Sequence, residues 1–523
     1  MIKFKAKSIE NVAERAKERM LGKTGEGVRI GILVSSDNFS GGRNYSMKLA
    51  YNVQNAILKT GFETEIITLP TLCDNYKEYT SENNFINIYK EQLASMVELL
   101  LTEKSYDGLV IIPKGLSSKI GMLRGAFRLN LPTLVLTEGP SSCQNGATLK
   151  DLTLLAGLVA KGKASSFDMQ NTENTQIEYV GDGADFNSSN IVNIMLEVLG
   201  LSIMGNSTTF ASTITRENLA ETTAKTIVSL TKDRFSPRKL ITKKVISNAI
   251  ISNFALGGST VALNSILELA RELDIDMPFD KALALQKGVP TLYDTSSKNM
   301  TNYAEDGGTP ALLKALSSLK LLDENSKTYA NRTLGEALKT IKDTGAFEKC
   351  SKESLAELHG NLIDRRGLAK ALNIAGKEVI TGKARVFDCD DSASYAVLAK
   401  SIKPETIMVI KNSSNACGGG NIPYQTVRAL EAFDLLDSVI VLTESDIPDG
   451  TKAMVVGNIL PSGDDGALRI VQDDDEIEVD FNKGRVNIDL NNKEISQRQR
   501  KFVKDHKQLP TFVKQYIKLT ENK

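Results

Sequence analysis

The chain has 523 residues, 41% of them apolar and 24% charged, with Lys plus Arg and Asp plus Glu balanced at 64 each. Single cores stop growing at roughly 250 to 300 residues, so two folded domains are expected, and the even charge excludes a general electrostatic pull toward nucleic acid or an anionic membrane surface. The opening segment 1–24 lacks the apolar run of a signal peptide, and no stretch of about 18 apolar residues is present, so a cytoplasmic protein with neither nucleic-acid nor membrane partner is expected.

Residues 28–35 (VRIGILVS) read as a buried strand, and 45–60 as a helix with Leu49, Val53 and Ile57 on one face. A strand over 64–69, a helix over 86–101 carrying Leu93, Val97 and Leu100, and a strand over 108–113 continue the alternation. A helix around 122–128 leads to a short strand over 133–136 that ends in a turn rich in Gly, Pro and Ser. Such an order predicts a largely parallel α/β sheet. Helical periodicity dominates from about 190 to 343, as in 265–273 and 310–322, and these helices are expected to pack around the sheet.

From Lys383 the texture changes to short β-rich runs at 407–410, 439–442, 453–456, 468–471, 477–480 and 486–490, separated by Gly, Asp and Asn turns. A separate all-β unit is predicted. The fold class is therefore α/β, with an α/β domain over 1–355 and a β-rich domain over 356–523. The acidic run from Asp473 to Glu476 reads as a solvated turn rather than a metal site. The five scattered cysteines, Cys73, Cys143, Cys350, Cys389 and Cys417, suit a reducing compartment and read most simply as buried free thiols.

Several segments then stand in a telling order: EVLGLSIMG at 197–205, ALGGST at 255–260, VPTLYDTSSKNMTNYAEDGGTPALLK at 289–314, HGNL at 359–362, GKARVFD at 382–388 and a closing helix around 497–501. In order and nearly in spacing they resemble the dihydroxy-acid and phosphogluconate dehydratase family, over most of the chain. The resemblance implies an α/β domain followed by a β-barrel-like domain, and a dimer with itself or with a paralogue. It also implies dehydration of a 2,3-dihydroxy acid or sugar acid. In that chemistry three thiolates hold an iron-sulfur cluster whose open iron draws off the hydroxyl. Carboxylates and a modified lysine hold magnesium, and a serine takes the C2 proton.

The matched positions of this chain lack most of those groups. The loop 35–44, SSDNFSGGRN, has no cysteine, and Gly115, Leu116 and Ser117 fall on the family's Cys-Asp-Lys motif. Gly181, Asp182 and Gly183 match its Gly-x-Cys motif, ahead of Ser188, Ser189 and Asn190. ESDIPDG at 444–450 matches the loop of the base serine and puts Pro448 in its place, while Tyr424 matches a magnesium-binding glutamate. Asp74, in LCDN, survives as a candidate metal ligand. The expectation is no iron-sulfur cluster and no cofactor beyond a magnesium ion.

Other residues admit two readings each. Cys73, Asp74, Cys143 and Cys417 can form a thiolate-rich metal or nucleophile site, or be packing residues. Gly257, Gly258, Ser259 and Thr260, and likewise Gly418, Gly419 and Gly420, can cradle an anion on backbone N–H groups or simply form tight turns. His359, with His506 one of two histidines, reads as structural, and Arg365 and Arg366 as an acid-binding pair or a solvated one. Two functions follow from these readings. The first is a divergent homologue without the iron-sulfur dehydration activity that serves as a binding, regulatory or assembly partner. The alternative is a hydro-lyase acting on a hydroxy acid or sugar acid with a rebuilt, cluster-free site.

Overall fold

A computed structural model describes residues 27–36, 45–71, 86–141, 149–176, 180–330, 332–377, 379–411, 422–461, 466–501 and 511–521. The chain first runs β1 (Arg29–Ser36), α1 (Tyr45–Leu58), β2 (Glu63–Pro70), α2 (Ile86–Glu103), β3 (Gly108–Ile112), α3 (Leu116–Leu129) and β4 (Thr133–Val135). The strands form an all-parallel sheet in the order β2-β1-β3-β4. β3, GLVII, is buried along its whole length, the unbroken apolar run that a sheet covered on both faces requires.

The helical middle of the chain includes α4 (Ser188–Val198), α5 (Ile214–Lys232), α6 (Lys243–Ala255), α7 (Thr260–Glu272) and α8 (Gly308–Ser318). Ile30, Ile32 and Val34 of β1 face a core shared with α1 and α5, whereas Leu33 faces the one built by α2, α3 and the remaining helices. The period of two along a strand is what divides these residues between the two faces.

The second sheet is built from β5 (Leu355–Leu358), β6 (Arg366–Lys370), β7 (Val379–Phe387), α9 (Asp390–Leu398), β8 (Ile407–Ile410), α10 (Tyr424–Ala432), β9 (Ile440–Thr443), β10 (Met454–Leu460), β11 (Glu476–Asp480) and β12 (Arg485–Ile488). Its strand order is β12-β11-β7-β8-β9-β10-β6-β5, and its ends meet where His359 N–H donates to Gly484 O and Val486 N–H donates to His359 O. The sheet is thereby barrel-like and nearly closed. His359 has its structural role through its backbone.

Two expectations need correction here. The unit is not all-β: β7, β8, β9 and β10 are parallel neighbours, and α9 and α10 cross between them. Parallel strands need such crossovers, and a short buried apolar run reads alike in either kind of sheet. Nor is it separate. Ile407 and Val409 point into the barrel, but Met408 and Ile410 belong to the core formed with the N-terminal helices. Locally, the strand expected over 468–471 is replaced by a 3₁₀ turn, Ala467–Ile470, followed by the extended Val471. The acidic turn is held by Arg498, whose guanidinium pairs with Asp475 at 3.0 Å. Of the cysteines within the described residues, Cys350 is exposed and Cys389 half-buried, so neither is the buried packing thiol expected.

α2 and α3 approach so closely that a Cβ built on Gly125 would lie 2.6 Å from Ala94 O and 2.7 Å from Val97 Cβ. Gly125→Ala should therefore destabilise the fold by about 1 to 3 kcal/mol in urea unfolding, although alanine favours helix over glycine.

Candidate functional site

The β1/β3 boundary is the switch point of the parallel sheet, where the chain departs to opposite sides and where open α/β sheets place their ligands. Its C-terminal edge carries charge that the strands do not. Lys114 follows β3, and its N–H donates to Ser35 Oγ at the end of β1, 2.9 Å away. Its Nζ lies 3.8 Å from Oε2 of Glu138, beyond β4, in a pair whose side chains are 7% and 1% exposed. Glu138 also accepts from Ser46 Oγ at 2.5 Å and from Gly181 N–H at 2.9 Å. Burial pushes its carboxyl above the ordinary range, against the pull of the Lys114 charge.

Gly115 leaves the strand with φ of 74°, which glycine adopts freely, and this lets α3 begin at Leu116. One turn on, Lys119 is wholly buried. Its Nζ donates to Ser189 O at 3.1 Å, to Ser189 Oγ at 2.9 Å and to Asn193 Oδ1, and lies 3.7 Å from Asp182 Oδ2. Asp182 in turn accepts from Ser189 Oγ at 3.1 Å and from Asn193 Nδ2 at 2.8 Å. The residues at the matched Gly-x-Cys motif thus join the first charge pair, through Gly181, to a second, through Asp182.

A third pair comes from the barrel. Asp449, in the turn between β9 and β10, accepts from Ser188 Oγ at 3.0 Å and Ser259 Oγ at 2.8 Å, and Lys370 Nζ at the end of β6 stands 3.8 Å from its Oδ1. Tyr424, the first residue of α10, puts its hydroxyl 3.2 Å from Ser188 Oγ. The neighbouring Asp446 accepts from Asn264 Nδ2 at 3.0 Å and Asn458 Nδ2 at 2.9 Å. Burial raises the carboxyls of both Asp446 and Asp449.

The matched positions Gly115, Asp182, Ser188, Ser189, Tyr424 and Pro448 thus lie on or beside one buried network that spans both domains. The turn from Gly257 to Thr260 belongs to it differently from expectation. The Gly257 and Gly258 N–H groups are bonded to Phe254 O and Asn253 O at the end of α6, and it is their carbonyls that are offered, to Lys370 Nζ at 2.7 and 2.9 Å. Ser259 caps α7 by accepting from Ala262 N–H, and Thr260 Oγ1 accepts from Ile447 N–H at 3.1 Å. This turn offers its glycine carbonyls to a cation and the Ser259 hydroxyl to the Asp449 carboxylate, while its glycine N–H groups are bonded within the chain. Arg366 stacks 4.3 Å from the Phe279 ring and pairs with Asp280, so it ties the two domains together rather than waiting for a ligand. Arg365 is exposed. Cys73, Asp74, Cys143, Cys417, Gly418, Gly419 and Gly420 lie outside the described residues.

Reading by motif missed Lys114, Lys119, Glu138, Lys370 and Asp449. One signal was available: Lys119 interrupts the small and apolar run LSSKIGML at the start of the helix, and lysine is seldom buried without a partner. As for metals, Gly115 and Gly183 offer no donor atoms where the resemblance puts thiolates. Among the described residues no cluster of three or more His, Cys, Asp or Glu side chains can hold a metal ion.

Comparison with known proteins is consistent over both domains. The profile of the dihydroxy-acid/6-phosphogluconate dehydratase N-terminal domain matches residues 28–337, and that of the C-terminal domain matches 345–523. A protein named dihydroxy-acid dehydratase from Methanosarcina barkeri is 28% identical over 97% of this chain and 97% of its own length. Proteins of the same name from Aquifex aeolicus and Pyrococcus abyssi are 28% and 25% identical, over 82% and 98% of this chain and 81% and 97% of their own lengths.

Two outcomes follow from the site's geometry. Lys119→Met leaves Asp182 as an uncompensated buried charge and should cost about 3 to 5 kcal/mol in urea unfolding. Tyr424 is held in place because Asp390 accepts from the N–H groups of Gln425 and Thr426, each at 2.9 Å, at the start of α10. Burial raises the Asp390 carboxyl from 3.8 to about 6. The unfolded chain therefore releases this proton first, and the stabilising effect of Asp390 should decline as pH rises through that window and level off above it. The difference in unfolding free energy between wild type and Asp390→Asn should follow that course.

Proposed function

The chain belongs to the dihydroxy-acid/6-phosphogluconate dehydratase family, and from that premise we propose that it is a hydro-lyase acting on a hydroxy acid or sugar acid at a rebuilt, cluster-free site. The observation that carries this reading is the network of three lysine–carboxylate pairs, Lys114–Glu138, Lys119–Asp182 and Lys370–Asp449, in each of which the carboxylate side chain is 1% exposed. Well-packed apolar side chains would serve stability as well or better than buried ion pairs. Charges kept in such numbers at a ligand-binding edge point to chemistry instead.

Dehydration of a 2,3-dihydroxy acid moves a proton from C2, releases the C3 hydroxyl as water once it is protonated, and leaves an enol that becomes the 2-oxo acid. A base, an acid and positive charge near the carboxylate are required. Lys114 supplies positive charge at the switch point, and Glu138, whose carboxyl burial raises above its ordinary range, is the group beside it suited to hold and return a proton. Asp74, outside the described residues, is the remaining candidate for magnesium. A second reading, binding without turnover, is favoured by Pro448, which has no proton to give or take at the matched position of the base.

The protein purified without oxygen should be colourless, and incubation with 2,3-dihydroxy acids and aldonic sugar acids, with and without Mg²⁺, should yield a 2-oxo acid detectable as its hydrazone. Glu138→Gln should lower the turnover by about a hundredfold or more with the fold intact. A substrate panel that raises the melting temperature without forming product would leave the binding reading in place of this one.

A further inference from the structure

Asp449 sits in surroundings that are built for a carboxylate. Its Oδ2 accepts two hydroxyl protons, from Ser188 at 3.0 Å and from Ser259 at 2.8 Å. These serines stand at the N-terminal ends of two helices, Ser188 as the first residue of the 11-residue α4 and Ser259 as the cap of the 13-residue α7. Both helices thus direct the positive end of their dipoles at one point. Lys370 adds a full charge 3.8 Å from Oδ1 and is itself fixed by the carbonyls of Gly257 and Gly258.

The fit to Asp449 is incomplete. Its side chain is 1% exposed, yet Oδ1 has no hydrogen-bond partner. A buried carboxylate oxygen left without a donor is poorly compensated, and here the Lys370 charge and the two serine hydroxyls offset part of that desolvation. The pocket also joins both domains, since α4 and α7 come from the first, and Lys370, Asp449 and Tyr424 from the second.

We propose that Ser188, Ser259 and Lys370 form a carboxylate-binding subsite at the domain interface, and that this chain fills it with its own Asp449. The ligand class is a small carboxylate. Two hydroxyls and two helix termini select a negative charge, and the enclosed Oδ2 position suits a planar oxygen pair rather than a spherical ion. The proposal is independent of whether the chain turns a substrate over.

The experiment replaces the internal ligand by an external one. In Asp449→Gly the removed side chain has the atoms of acetate, so acetate should bind the variant and raise its thermal midpoint progressively with concentration. At ten times its dissociation constant, acetate should shift the folding equilibrium by about tenfold. Acetamide, of equal shape without charge, and chloride at equal ionic strength should not. Wild type should respond to acetate no more than to chloride, and adding Lys370→Met to the glycine variant should abolish the response. Asp449→Asn, which keeps the pocket filled, should be less stable than wild type and indifferent to acetate. If Asp449→Gly does not fold in chloride, the yield on refolding in acetate against chloride reads the same question. An equal effect of acetate and acetamide, an equal effect on wild type, a response that survives loss of Lys370, or refolding no better in acetate would overturn the proposal.

Discussion

The structure depends on the segment from Gly181 to Asn193, which holds three buried charge pairs in one network. Gly181 donates its N–H to Glu138, Asp182 faces Lys119, and Ser188 donates to Asp449 while the adjacent Ser189 binds Lys119 and Asp182. Because consecutive residues at the start of α4 serve different pairs, neither pair can move without the other. A low-dielectric interior makes such coupling strong when satisfied and costly when broken. The network therefore sets the relation between sheet edge, helices and barrel.

This arrangement shows how the family framework brings its two domains to one site. The parallel sheet still delivers its C-terminal edge to the switch point, and the barrel still presents the turn between β9 and β10 to α4 and α7. The groups that meet there are lysines, carboxylates and serines, among them Lys114, Lys119, Asp182, Ser188 and Asp449, which lie beside the matched Gly115, Gly183 and Pro448. The main expectation from the sequence, a homologue without the iron-sulfur dehydration activity, rested on the joint loss of thiols, lysine and base at those positions. The relatives matched along nearly the full chain are named as dehydratases, and the buried charge network is consistent with the enzymatic alternative.

Much of the fold was legible because its signals are local. The apolar runs of β1, β3 and β8 and the spacing of Leu49, Val53 and Ile57 each follow from burial on a strand or helix face. The direction of β7 to β10 was not legible, since a run such as IMVI carries no mark of its neighbour's polarity. The site was legible only where a motif named it. Lys370 lies 79 residues from Asp449 along the chain and Ser259 lies 190 from it, and no local pattern links such residues.

By itself the sequence determined the family and the alternation of strands and helices. These are properties of residue identity and of periods of two and 3.6, which act between near neighbours. Only the tertiary structure decided which charged side chains meet. Whether a lysine is a solvated surface charge or a buried partner depends on which distant carboxylate the fold brings to it. Only in the folded chain do Lys119 and Asp182, and Lys370 and Asp449, leave water together.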